Sequence, residues 1–159
     1  TDMKEIWELF EFCEKLGVDS HQIAPAYGYS AVNEREIFLT RDDILEKFAE
    51  IDRMQERFPI NNSPLYLDFL RGDRDLPCTA WGNPTYNTKG WKGPCYLITD
   101  AHYKTFEELM TKTPWESYGR GNDPRCEHCM VHCGYEASAA LGINGRKGDN
   151  LRLLKWILK

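Results

Sequence analysis

Among the 159 residues, no apolar stretch approaches the roughly 20 positions of a membrane-spanning helix. No charged, apolar and small signal segment opens the chain either, so the expected setting is cytoplasmic and reducing. A long basic run is also missing. The 25 acidic and 20 basic residues leave a net charge of -5 and a pI near 5.4. Such a surface disfavours sequence-independent nucleic-acid binding, which depends on neutralising phosphates. There is no internal repeat and no low-complexity tract. No Ser/His/Asp order, phosphate-cradling glycine loop or paired-carboxylate spacing suggests hydrolytic or nucleotide chemistry.

What the chain does have is cysteine. Three of its six cysteines, Cys126, Cys129 and Cys133, stand two and three residues apart, close enough for one short turn to aim their sulfurs at a common point. Cys78 and Cys95 lie upstream beside Trp81 and Trp91, in a stretch rich in Gly, Pro and Asn. Without an export signal, near-neighbour cysteines read better as thiolate ligands than as disulfides. A domain of this size can bury roughly 70% of its unfolded surface, so folding does not require a metal. Zinc needs four donors, which the three clustered cysteines could complete with Cys95, His128 or His132. An iron-sulfur cluster also takes four thiolates. Spacing alone leaves both open, along with free or paired cysteines. Cys13 falls on the apolar face of the first helical segment and reads as a small core residue.

The pattern along the chain predicts a mixture of helices and short strands, α/β passing to α+β. Thr1 and Asp2 offer caps for a helix carrying Ile6, Leu9, Phe10, Cys13 and Leu16, stopped at Gly17. Val18 to Ala24 is a strand candidate. Thr40 caps a helix from Arg41 to about Arg57, and Ser63-Pro64 opens another that ends at Gly72. From Asp73 to Asp100 glycine and proline recur every few residues. Short strands are expected at Thr85 to Asn87 and Tyr96 to Ile98, around a turn at Thr88 to Gly90. Thr105-Phe-Glu-Glu108 is a capping box for a helix that Pro114 ends. Trp115 to Arg125 reads as loop, Gly134 to Leu141 as a brief helix, and Asp149 as the cap of a final helix. The change of texture divides the chain into 1–72 and a cysteine-bearing 73–159.

Cys78, eleven residues, Gly90, four residues and Cys95 resemble the opening signature of the SPASM and twitch domains, which carry auxiliary iron-sulfur clusters in radical S-adenosylmethionine (SAM) enzymes. Cys126, Cys129 and Cys133 look like an abbreviated second half of that signature. Four longer segments, 63–72, 78–87, 90–97 and 129–136, resemble the hopanoid-biosynthesis radical SAM family, the adenosylhopane synthases. These joined motifs are more specific than a lone Cys-x-x-Cys, and they raise a cluster above zinc. The resemblance implies the last helix-strand units of a partial (β/α) barrel over 1–72, followed by an auxiliary-cluster domain with a β-hairpin and helices.

The family's SAM-binding CxxxCxxC loop has no counterpart here, so the chain is expected to be a C-terminal portion without radical chemistry of its own. In a full-length enzyme, SAM and a second 4Fe-4S cluster would generate a 5'-deoxyadenosyl radical that adds to a hopene-type triterpene, with an electron donor as partner. The implied auxiliary cluster, 4Fe-4S, would draw four ligands from Cys78, Cys95, Cys126, Cys129 and Cys133. Barrel sites gather at the C-terminal ends of strands, which makes Tyr27 and Tyr29 candidate walls for substrate or cofactor. Trp81, Tyr86, Trp91, Tyr96 and Trp115 crowd the cysteine region and could line an apolar substrate cavity or simply pack. The last helix interleaves Arg152, Lys155 and Lys159 with large apolar residues. It is expected to dock on the domain, with peripheral contact at the cytoplasmic face of a membrane as the alternative.

Overall fold

A computed structural model of the chain describes residues 2–28, 32–33 and 35–158. Among the described residues seven α-helices accompany one small three-stranded antiparallel sheet, a mixed α and β architecture with no closed barrel. No helix of the described residues is long and apolar enough to cross a membrane.

Local chemistry sets most helix starts. Asp2, Thr40 and Thr105 each close a capping box, at the heads of α1 (Met3–Lys15), α2 (Arg41–Phe48) and a later helix (Phe106–Lys112). The stretch from Arg41 to Arg57 is broken in two, with α3 (Ile51–Arg57) starting after Ala49 and Glu50. The break lets Ile44 on one segment and Ile51 and Met54 on the other all reach the core, each 1% exposed. Ser63 caps α4 (Pro64–Arg71), which buries every side chain from Leu65 to Leu70 and forms the central post of the molecule. Against α4 pack α2, α6 (His132–Ala140) and α7 (Asp149–Ile157). Phe69 and Tyr135 stack across the α4–α6 contact at 4.3 Å. The first helix buries Phe10 and packs Met3, Ile6 and Trp7 on the core, whereas Leu9 and Leu16 of the expected face remain exposed.

The stretch Val18 to Ala24 forms no regular strand. It makes a single parallel bridge, His21 to Ile60, with the His21 amide donating to Pro59 O at 2.8 Å and the Asn61 amide to His21 O at 2.7 Å. The sheet consists of β1 (Thr85–Asn87), β2 (Gly90–Gly93) and β3 (Ala101–Tyr103) in that order. Thus β1 is where the pattern puts it, but its partner begins at Gly90 rather than Tyr96. Gly90 has φ of 123°, and a side chain there would collide with the Tyr103 carbonyl, so only glycine lets β3 approach. Tyr96 to Ile98 is instead a turn, in which the Thr99 hydroxyl donates to Cys95 O and Tyr96 O. The helix Phe106–Lys112, α5, covers the sheet, with Phe106 edge-on to Trp91 at 5.3 Å.

Asp149 is the first residue of α7 rather than its cap, which is Gly148. Its carboxylate is occupied elsewhere: Arg74 donates to both oxygens at 2.8 and 3.0 Å, and the Arg146 amide donates at 2.6 Å. Arg152 of α7 likewise reaches Asp68 of α4 at 2.6 and 3.0 Å. The helix α7 therefore docks through Asp149, Arg152 and the half-buried Leu153, and Leu151, Leu154, Ile157 and Leu158 are more than half exposed.

Candidate metal centre

Three separate stretches bring the cysteines together. Cys95 follows β2, and its turn is steadied by Lys92, whose ammonium donates to Tyr96 O at 2.8 Å. Cys126 ends a 3-10 turn capped by Asp123, and its amide donates to Asp123 O at 2.9 Å. Cys129 follows one turn later, and the next residue is tied to α4 by the Tyr66 hydroxyl, which donates to Met130 O at 2.8 Å. Cys133 sits in the first turn of α6 and is buried. Cys78 is laid on α6 by its neighbour Thr79, whose amide and hydroxyl donate to Gly134 O at 3.2 and 3.0 Å.

The result is one small cavity of about 30 Å³ lined by Cys78, Cys95, Cys126, Cys129 and Cys133. All five cysteines that the sequence offers as ligands line it. They stand around the cavity rather than at a point: among the described residues, no three His, Cys, Asp or Glu side chains form a ready-made seat for a metal ion. Tyr27 lines the cavity and directs its hydroxyl to Arg125 O at 3.4 Å, whereas Tyr29 lies outside the described residues. His128 and His132 do not line it. His128 Nδ1 accepts from the Arg41 amide at 3.3 Å, and His132 Nδ1 is buried without a hydrogen-bond partner. Cys13 is half-buried on α1, away from the other five.

Sequence spacing does not reveal the supports. Arg125 clamps the two cysteine-bearing loops together, donating to Asp100 at 2.7 and 2.8 Å and to Asp123 at 2.6 Å. Hydrogen bonding from this guanidinium holds the Asp100 and Asp123 carboxyls below the usual carboxylate range. Leu97, Ile98 and Val131 make the rest of the wall apolar.

Burial raises the thiol pKa values, and the neighbouring sulfurs raise them further. Cys78 is pushed up to about 12 and Cys133 to about 11, while Cys126 and Cys129 also move up. Cys78 as a residue has an exposed edge, yet its thiol is surrounded by enough protein for desolvation to dominate. Against burial work hydrogen bonds that favour thiolate: backbone amides of Ala80, Gly119, Val131 and Gly134 at Cys78, Cys126, Cys129 and Cys133, and the Tyr96 hydroxyl at Cys133. Donors aimed at several sulfurs in an apolar hollow suit thiolates bound to a metal, whose charge would offset the desolvation. The donor chemistry, rather than a formed seat, is what suits a thiolate-ligated inorganic group.

A model of the family described as a domain of unknown function (DUF3463) matches residues 21–153. The chain belongs to this family. Every cavity cysteine of this DUF3463 chain falls within the matched span. No curated protein and no solved structure matches it.

Proposed function

We propose that the chain is the auxiliary-cluster portion of a radical SAM transferase similar to the adenosylhopane synthases. The observation that carries this reading is the convergence of five cysteines from three stretches on one apolar cavity. Cys78, Cys95, Cys126, Cys129 and Cys133 supply the candidates for the four thiolates of a 4Fe-4S cluster. Five cysteines on one wall, no three of them placed as a seat for a single ion among the described residues, favour a multi-atom centre over a single zinc, which requires four donors within about 2.3 Å of one point. Bound there, a cluster supplies electron storage or transfer, or a site of substrate ligation. The chain's own part is to hold the sulfurs, direct amide hydrogens at them, and exclude water with Tyr27, Leu97 and Val131.

Two further features support the wider reading. The parallel bridge between His21 and Ile60 has α2 and α3 in its connection, the arrangement of a strand-helix-strand crossover, as in the last units of a (β/α) barrel. Beside it lies an apolar cavity of about 220 Å³, lined by Met3, Ile6, Ile23, Pro25, Phe48 and Met54, room for one end of a hydrocarbon substrate such as a hopene-type triterpene. In the full enzyme, SAM bound at a separate 4Fe-4S cluster would provide the deoxyadenosyl radical, with electrons from a donor partner. The outward leucines of α7 suit peripheral membrane contact at the cytoplasmic face.

Anaerobic reconstitution of the chain with iron and sulfide tests the proposal. A brown protein binding about four irons and four sulfides is expected, with single Cys→Ser changes at four of the five cavity positions abolishing loading. A colourless chain holding one zinc tightly and rejecting iron would replace the reading with a zinc-stabilised scaffold.

A further inference from the structure

The thiol cavity has a neighbour. Cys78, Tyr118, Gly119 and Tyr135 line both the cavity and an adjoining open groove of about 640 Å³, whose other walls include Arg41 and Arg120. We propose that this groove binds a small anion bearing carboxylate or phosphate, held by Arg41 and Arg120 beside Cys78.

The argument rests on how these two guanidiniums are partnered. Elsewhere Arg57, Arg74, Arg125 and Arg152 each engage a carboxylate through two nitrogens at 2.6 to 3.0 Å, the fork geometry that guanidinium favours. Arg41 does not. Its side chain is 14% exposed and lies over the Phe69 ring at 5.0 Å. Its Nη2 is 3.6 Å from Asp75, beyond charge-assisted hydrogen-bond distance, and its Nη1 is buried with no hydrogen-bond partner. Arg120 is similarly loose, with Nε 3.5 Å from Glu127. Both carboxylates belong to exposed side chains on the groove, so they can swing into water and yield to a better-fitting anion. Arg41 Nη1 is closed off and its guanidinium rests against the Phe69 ring, so an anion would be met by Arg41 Nη2 and by Arg120, the two loosely paired ends on the groove. Their positive charge also compensates an anion for approaching a cavity rich in sulfur.

The site rests on the groove's own residues and stands whether or not the cavity takes iron. The test is isothermal titration of the metal-free chain at low ionic strength with citrate and, separately, with inorganic pyrophosphate. Saturable one-site binding of at least one probe is expected, and the tighter of the two identifies the anion class. Arg120→Gln, on an exposed side chain that leaves folding intact, should weaken binding roughly 10-fold or more, the loss of a charge-assisted hydrogen bond. Arg41→Gln, with its fold checked by circular dichroism, should weaken it at least as much. Arg57→Gln, outside the groove, should leave it unchanged. Absence of saturable binding by both probes, or equal weakening by Arg57→Gln and Arg120→Gln, would overturn the proposal. Iron loading is scored separately, so the two readings fail independently.

Discussion

Replacing Gly134 by alanine sets two opposed effects against each other at the metal cavity. Gly134 lies in the first turn of α6, where in open space Gly→Ala would stabilise a helix by about 1 kcal/mol. Here the new methyl would land on the Cys78 sulfur, well inside van der Waals contact, and stand 3.6 Å from both Cys78 Cβ and the Thr79 nitrogen. Retreat of that strand of chain is restricted, because Thr79 is held to Gly134 O by two hydrogen bonds, each worth about 1 kcal/mol. Overpacking of this kind costs about 1–3 kcal/mol, so the net change is a loss of about 0–2 kcal/mol and a displaced Cys78 sulfur. Thermal unfolding of the metal-free variant should show a midpoint at or a few degrees below the parent, and iron and sulfide uptake under anaerobic conditions should fall sharply. Ala140→Gly, on the exposed end of the same helix, calibrates the propensity effect alone. If Gly134→Ala raised the midpoint as a free helical site would, and loaded iron and sulfide like the parent, the packing of Cys78 on α6 described above would be wrong.

Four further outcomes are expected. Arg74→Leu leaves Asp149 buried without its cation and should cost about 3–5 kcal/mol in denaturant unfolding, because the Arg74 side chain is only 3% exposed. Arg125→Gln should unfasten the two cysteine loops and lower iron retention; the Asp100 and Asp123 pKa values are depressed in the fold, so the clamp is complete above the unfolded value of about 3.9 and is lost as pH falls through the folded values, measured as stability of the parent minus that of the variant. In the metal-free chain Cys133 and Cys78 hold protons to about 11 and about 12. Their contribution to stability is therefore full below the unfolded thiol value of about 8.5 and declines as pH rises toward those folded values, followed by melting midpoint against pH. Cys13→Ser, on a residue away from the cavity, should leave iron uptake unchanged.

The parts of this molecule legible in sequence are those fixed by short-range chemistry. Asp2, Thr40, Ser63 and Thr105 announce their helices because a side-chain oxygen satisfies an amide two or three residues on. The five cavity cysteines were legible through spacing and glycine context. Where tertiary packing decides, the pattern misleads. The interruption at Ala49 and Glu50 has neither glycine nor proline to announce it, and follows from the direction in which Ile51 and Met54 must point. Tyr96 to Ile98 is rich in strand formers, yet the carbonyls of Cys95 and Tyr96 are taken by the Thr99 hydroxyl. Asp149 is drawn from capping duty by Arg74, 75 positions away. The proximity of Arg41 to Cys78 is equally invisible in one dimension, because it depends on α2 packing against α4 and α4 against α6.

The walls of the sulfur-lined hollow are fastened by contacts that involve no sulfur: Thr79 to Gly134, Tyr66 to Met130, and Arg125 to Asp100. Those ties do not depend on a bound centre. The cysteine-bearing stretches therefore keep their mutual placement through polar side chains and backbone, and Cys78, exposed and on the open groove, is the cavity cysteine nearest to solvent.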